Sequence, residues 1–168
     1  MSLGDTVIVM SEGRIMQHGR PTEIYADPKT RFVAEFIGRS NWFSGRLGAE
    51  VAENVRVFTT SEGHRILVPR PDGPASDRDA WEICIRPERI GIDAAGSSES
   101  EAGSINRLPG TVRDIAHLGA VIHLVIELEG GRRITATEQY LGQPPEQAGK
   151  LIDLVFRPED CIIVLADS

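Results

Sequence analysis

The chain is written twice. Gly45 recurs as Gly110, His64-Arg65-Ile66 as Arg132-Arg133-Ile134, and Arg86-Pro87-Glu88 as Arg157-Pro158-Glu159, at offsets of 65, 68 and 71 residues. The drift is what a few loop insertions produce. A repeat of this length limits the fold to two similar units that complete one another. Each copy is strand-rich. In the first, Trp42 to Leu47, the alternating Val55, Val57 and Thr59, Ile66 with Val68, and Trp81 to Ile85 read as strands. In the second, Leu108 to Val112, the alternating stretch Val121 to Leu128, Ile134 with Ala136, Leu151 to Phe156 and Cys161 to Leu165 do the same. Pro69 to Ala80, Asp93 to Asn106 and Glu138 to Lys150 are loops by composition. One half-unit alone has open strand edges and a half-covered apolar face, and pairing two closes them. The expected fold is mainly β: a two-lobed, barrel-like structure with half-repeats over about 40–95 and 105–168.

The segment ahead of the repeat is different. Asp5 to Met10 is a β-branched run, Ser11-Glu12-Gly13-Arg14 is turn chemistry, and Ile15 to His18 returns, so the pair reads as a hairpin. Thr22 is placed as an N-cap for one helical turn, Glu23-Ile24-Tyr25. Asp27-Pro28 opens a second helix with Pro28 at its first position, Phe32, Val33, Phe36 and Ile37 form its apolar face, and Gly38 stops it.

This string, D-x-V-I-V-M-x-E-G-R-I-x-Q-x-G-x-P-x-E-I-Y-x-x-P-x-x-x-F-V-A-x-F-I-G, resembles the carboxyl end of the nucleotide-binding domain of bacterial ABC importers, just after the switch histidine. The repeated Arg-Pro-Glu resembles the transport-associated OB-type regulatory domain that follows it, so the resemblance covers nearly the whole chain. It implies that residues 4–39 are the remnant of a nucleotide-binding domain and 40–168 the regulatory domain. Residues 1–3 read as a cloning remnant, because the family-like text starts at Gly4. The junction Phe36-Ile37-Gly38-Arg39-Ser40-Asn41 is similar to that of polyamine, ferric-iron and sulfate importers, which favours polyamine or a similar small solute as cargo.

The chemistry of ATP hydrolysis is missing. There is no G-x-x-x-x-G-K-[ST] cradle; the two lysines, Lys29 and Lys150, close no glycine-rich loop. No cofactor, metal or catalytic residue is therefore expected for this chain, and ATP and Mg belong to the full-length parent. Two cysteines, Cys84 and Cys161, have no metal spacing and lie in apolar runs. Sequence leaves a disulfide between them open, and the cytosolic setting the resemblance implies argues against it. His18, His64, His117 and His123 have no ligand spacing. Asp93, Glu99 and Glu101 lack the glycine and periodicity of a calcium loop.

The net charge is −7. Residues 1–39 are balanced, so the remainder holds thirteen basic against twenty acidic residues and carries all of it. That charge and the few aromatics speak against a nucleic-acid groove, which needs positive potential and stacking rings. No apolar run reaches the ~18–20 residues of a membrane span.

The candidate contact residues are Arg86, Glu88, Arg157 and Glu159. Their prolines end strand pairing, which leaves the charged neighbours to bridge lobes or subunits, or to line an anion-binding cleft between lobes. The expected function is regulation and dimerisation of an importer's ATP-binding subunit. Its partners would be a second copy, membrane permease subunits and possible small-molecule regulators, in the cytoplasm at the inner membrane. The alternative is a stand-alone small-anion or metabolite sensor. Apolar residues of segment 4–38 are expected to pack on another copy.

Overall fold

The computed structural model describes residues 5–71, 80–96, 105–142 and 147–166. Most of the loops read at 69–80 and 93–106, with Glu99 and Glu101, and the Pro144-Pro145 segment lie outside those residues. The chain opens with a hairpin of β1 (Val7–Ser11) and β2 (Arg14–Gly19). Its two-residue turn places Glu12 at φ 49° and Gly13 at φ 76°. Two positive φ values give the backbone twist that matches flanking strands, and glycine takes one of them without strain.

Two short helices follow, α1 (Pro21–Ala26) and α2 (Arg31–Ile37). Both begin away from the positions expected. Arg20 is the cap of α1, with Pro21 inside the first turn, so Thr22 is helical and not a cap. Helix α2 starts three residues after Pro28: the Thr30 hydroxyl accepts a hydrogen bond from Val33 N at 3.3 Å and fixes the start there. The apolar face is also narrower than expected. Val33 and Ala34 are buried, whereas Phe32 and Phe36, 38% and 70% exposed, stack on each other outside at 6.3 Å.

The remainder is two antiparallel five-stranded sheets. The first half supplies β3 (Asn41–Ala52), β4 (Val55–Thr60), β5 (Arg65–Pro69), β6 (Trp81–Ile85) and β7 (Gly91–Ala94). The second supplies β8 (Asn106–Leu118), β9 (Val121–Leu128), β10 (Arg133–Gln139), β11 (Leu151–Phe156) and β12 (Cys161–Leu165). The sheet orders are β5-β4-β3-β6-β12 and β10-β9-β8-β11-β7. Each half thus gives its last strand to the other half's sheet: β7 pairs with β11, and β12 with β6. The fold is mainly β, with two OB-type lobes that are interlocked rather than stacked.

One continuous core fills the space between the sheets, including Phe43, Phe58, Ile66, Ile83, Leu124, Ile126 and Leu154, all essentially inaccessible. Full burial of such a side chain stabilises by about 1.5–3 kcal/mol. The repeated glycines serve close approach. A Cβ on Gly45 would sit 2.2 Å from Thr59 O, and one on Gly110 would sit 2.5 Å from Ile126 Cγ2.

Candidate functional site

The arginine of the first Arg-Pro-Glu run lies at the joint between the hairpin–helix segment and the first lobe. Pro87 ends β6, and a 3-10 turn over Pro87–Arg89 follows, which points Arg86 at the end of α2. Arg86 is 3% exposed. Its Nη1 donates to Ala34 O at 3.1 Å, Gly38 O at 3.0 Å and Ser40 Oγ at 2.7 Å, with Arg39 O at 3.4 Å. The carbonyls of Ala34 and Gly38 are among those a helix leaves without partners at its carboxyl end, where the dipole is negative, and Ser40 adds its hydroxyl. The guanidinium also lies over the Tyr25 ring at 4.8 Å, a cation–π contact.

Tyr25 Oη donates to Glu88, so the glutamate of the same run ties α1 to the joint. Burial, reinforced by Glu88, raises the phenol's pKa above its ordinary value. Arg31, in the first turn of α2, donates to Glu82 at 2.7 Å and to Glu35 at 2.8 Å and lies 5.0 Å over the Trp42 ring. Glu35 foremost, opposed by partial burial and helped by Glu82, raises the Arg31 pKa further.

The second run is placed differently. Arg157 and Glu159 pair at 3.7 Å, with side chains 69% and 67% exposed. A 3-10 turn again follows, over Pro158–Asp160. The two turns are linked by residues just beyond the named ones: Arg89 pairs with Asp160 at 3.6 Å, and Asp160 also accepts from Arg157 N at 3.1 Å. The first turn packs against β10 and the second against β5, so each touches the other half's outer strand.

Sequence reasoning missed the residues that close those outer strands. Asn41 and Asn106 are 8% and 4% exposed. Asn41 donates to Thr135 O at 2.8 Å and accepts from Thr135 N at 2.7 Å. Asn106 donates to Leu67 O at 2.9 Å and accepts from Leu67 N at 2.6 Å. Each amide imitates one residue of a neighbouring strand and satisfies edge groups whose burial would otherwise cost free energy. The signal was available: the 65-residue offset relating the glycines also relates Asn41 to Asn106, and the 68-residue offset relates Leu67 to Thr135. A further bridge joins the lobes where Arg132 meets Glu62 at 2.5 Å and donates to Trp42 O at 2.8 Å. Burial, the largest single influence, pushes the Glu62 carboxyl up, but the hydrogen bond and charge of Arg132 together with hydrogen bonds from the backbone and Thr60 outweigh it and hold the pKa below its ordinary value.

The cysteines are free and buried. Cys161 stands opposite Ile85, and Cys84 opposite Ile162. Because strand side chains alternate, the thiols lie on opposite faces of the sheet and cannot join. Burial raises the Cys84 pKa to about 11 and that of Cys161 well above the thiol range. Among the described residues, no three His, Cys, Asp or Glu side chains cluster as metal ligands. Nor is any helix among them long and apolar enough to cross a membrane. A groove of about 400 Å³ runs past Ser44, Arg46, Thr59, Ser61 and Trp81 at the end of the first lobe. Ser61 Oγ already donates to Ser44 O at 3.0 Å and Ser44 Oγ lies 3.2 Å from Glu82 Oε1, so its walls bond to themselves.

Residues 83–164, the region of both 3-10 turns and the strand exchange, match the TOBE domain family. The chain carries a TOBE domain. Across most or all of its length it is also similar to curated spermidine/putrescine import ATP-binding proteins. The protein from Nostoc sp. PCC 7120 is 35% identical over 139 residues, covering 82% of this chain and 35% of that protein. Those from Thermobifida fusca and Photobacterium profundum are each 32% identical, covering 98% and 100% of this chain and 41% and 44% of theirs. The chain thus spans well under half the length of the relatives it matches, and the resemblance to importer ATP-binding subunits is borne out. Among solved structures, a cytoplasmic molybdate-binding protein, ModG, has the same fold as the TOBE body, at TM-score 0.63 and 17% identity. The match covers 75% of this chain and 96% of that one.

Proposed function

We propose that the chain is the regulatory carboxyl-terminal part of the ATP-binding subunit of an ABC importer, with the hairpin and helices of residues 4–39 as the end of its nucleotide-binding domain. The parent would couple ATP hydrolysis, with Mg, to import of polyamine or a similar small solute. It would work as a dimer against membrane permease subunits, on the cytoplasmic side. The observation that carries this reading is the unbroken similarity to polyamine-import ATP-binding proteins from the hairpin through the TOBE domain. The joint built on Arg86, Glu88 and Arg31 supports it, because a regulatory domain needs a defined attachment to the body it regulates. The exposed Ile8, Met10, Ile15 and Met16 of the hairpin support it too, as a face that further protein would cover.

A second reading is a small-oxyanion sensor, favoured by the fold shared with a molybdate-bound protein. Two measurements separate them. Uptake of labelled spermidine is followed in cells whose sole polyamine importer contains the full-length parent, and calorimetry tests the chain against molybdate, sulfate, spermidine and putrescine. Uptake that depends on the parent, with no solute bound by the chain, supports the first reading. Uptake of sulfate or iron instead would remove polyamine and keep the regulatory role. Tight molybdate or sulfate binding by the chain favours the sensor.

A further inference from the structure

The described residues form two hydrophobic cores that do not merge. One lies between the sheets. The other consists of Val9, Ile24 and Val33, with Val7 and Ile37 against it, and belongs to the hairpin–helix segment. The seam between the two is held by polar and charged contacts: Arg31 with Glu82, Tyr25 with Glu88, and Arg86 with the end of α2. Seams of that composition between two bodies leave relative motion as the default.

Arg86 is the odd member. Its Nε and Nη2 are buried without a hydrogen-bond partner, and the carboxylate of its own run, Glu88, is engaged with Tyr25. A half-satisfied buried cation gains at one nitrogen what it forfeits at the others, because burial strips water from all of them. Lifting α2 away would rehydrate the whole guanidinium while losing the bonds to its carbonyls. The two states are therefore closer in free energy than the depth of burial suggests.

We propose that the hairpin–helix segment is a detachable body on the first lobe and that Arg86 is the latch holding it, with docked and released states in exchange. The inference concerns the joint within this chain and does not depend on which solute the parent serves. Released, the segment uncovers the outer face of β6. That face carries Glu82 and Cys84, and Cys84 sits close enough to Ser40 and Glu35 for both to bear on its thiol. Cys161 belongs to the core between the sheets and stays covered in either state.

The cysteines therefore report on two different openings. The full chain is pulsed with a thiol reagent under native conditions, and labelling at each cysteine is read by mass spectrometry. Arg86→Met is expected to speed labelling of Cys84 by about tenfold, the local opening cost of one lost set of charged hydrogen bonds, and to leave Cys161 unchanged. Arg157→Met should change neither. Should Arg86→Met not fold, Arg31→Gln and Tyr25→Phe, at the exposed rim of the seam, carry the same expectation at a smaller factor. Equal labelling rates at Cys84 and Cys161 in every variant would mean that only global unfolding exposes either, and would overturn the proposal. So would unchanged Cys84 labelling in a folded Arg86→Met protein.

Discussion

The two lobes descend from one pattern and differ in what lies on their outer faces. In the first, all five residues of β6 are buried, because α2 covers one side and the core the other. In the second, the corresponding β11 alternates between buried and half-buried positions after an exposed Leu151. The same arginine is a buried helix cap in one lobe, Arg86, and a solvated surface charge in the other, Arg157. A repeated motif specifies where a strand ends and which way the next side chain points. It does not specify what that side chain meets.

Substitutions at paired positions sharpen this contrast. The largest effect is expected at the glycines. Gly45→Ala drives a Cβ into a backbone oxygen of β4, and Gly110→Ala drives one into the Cγ2 methyl of Ile126, a β-branched side chain fully buried in the core. Overpacking costs about 1–3 kcal/mol; both changes should reach the top of that range, with Gly45→Ala, which meets backbone, the more severe, read from denaturant midpoints. Next come the amide staples. Asn41→Ala and Asn106→Ala each leave a half-buried N–H and C=O on the facing strand unpaired, at about 1–3 kcal/mol. Here the lobes should behave alike, and a large inequality would break the symmetry inferred for the staples. At the Arg-Pro-Glu runs, Arg157→Met should stay within about 0.5 kcal/mol, as exposed pairs do. Arg86→Met should exceed it clearly in the same melts.

The smallest effects are in pH dependence. The pKa of Glu62 is lowered in the folded protein, so its bridge to Arg132 adds stability above the ordinary carboxylate range and loses it as pH falls through the folded value. Glu62→Gln should flatten the acid limb of a stability profile and leave neutral pH little changed in slope. The pKa of Tyr25 is raised, so its contribution is complete below the ordinary phenol range and is lost as pH climbs through the folded value. Tyr25→Phe should remove that alkaline limb. Glu62 ties the lobes together and Tyr25 ties the segment to the first lobe, so the two limbs report on different joints.

Much of this was legible. Alternation located most strands, though β7 lay half in a stretch read as loop, and the paired offsets revealed two similar units that complete one another before any geometry was known. The resemblance in residues 5–41 and in the Arg-Pro-Glu runs pointed to importer ATP-binding subunits. The helix starts were misplaced because Pro28 and Thr30 are both good opening residues, and only the bond from Val33 N to the Thr30 hydroxyl decides between them. The Asn staples were overlooked although the repeat offset relates them, because an offset shows that two residues correspond and not what their side chains bond. The contrast between Arg86 and Arg157 was out of reach for the same reason: identical tripeptides carry identical local instructions.

Sequence by itself determined most of the strands, the duplication and the family resemblance, because periodicity and spacing are properties of neighbours along the chain. Only the tertiary structure decided which terminal strand joined which sheet, which arginine was buried, and on which face each thiol lay. Those outcomes depend on contacts between residues dozens of positions apart, where burial and unpaired hydrogen-bonding groups set the energy.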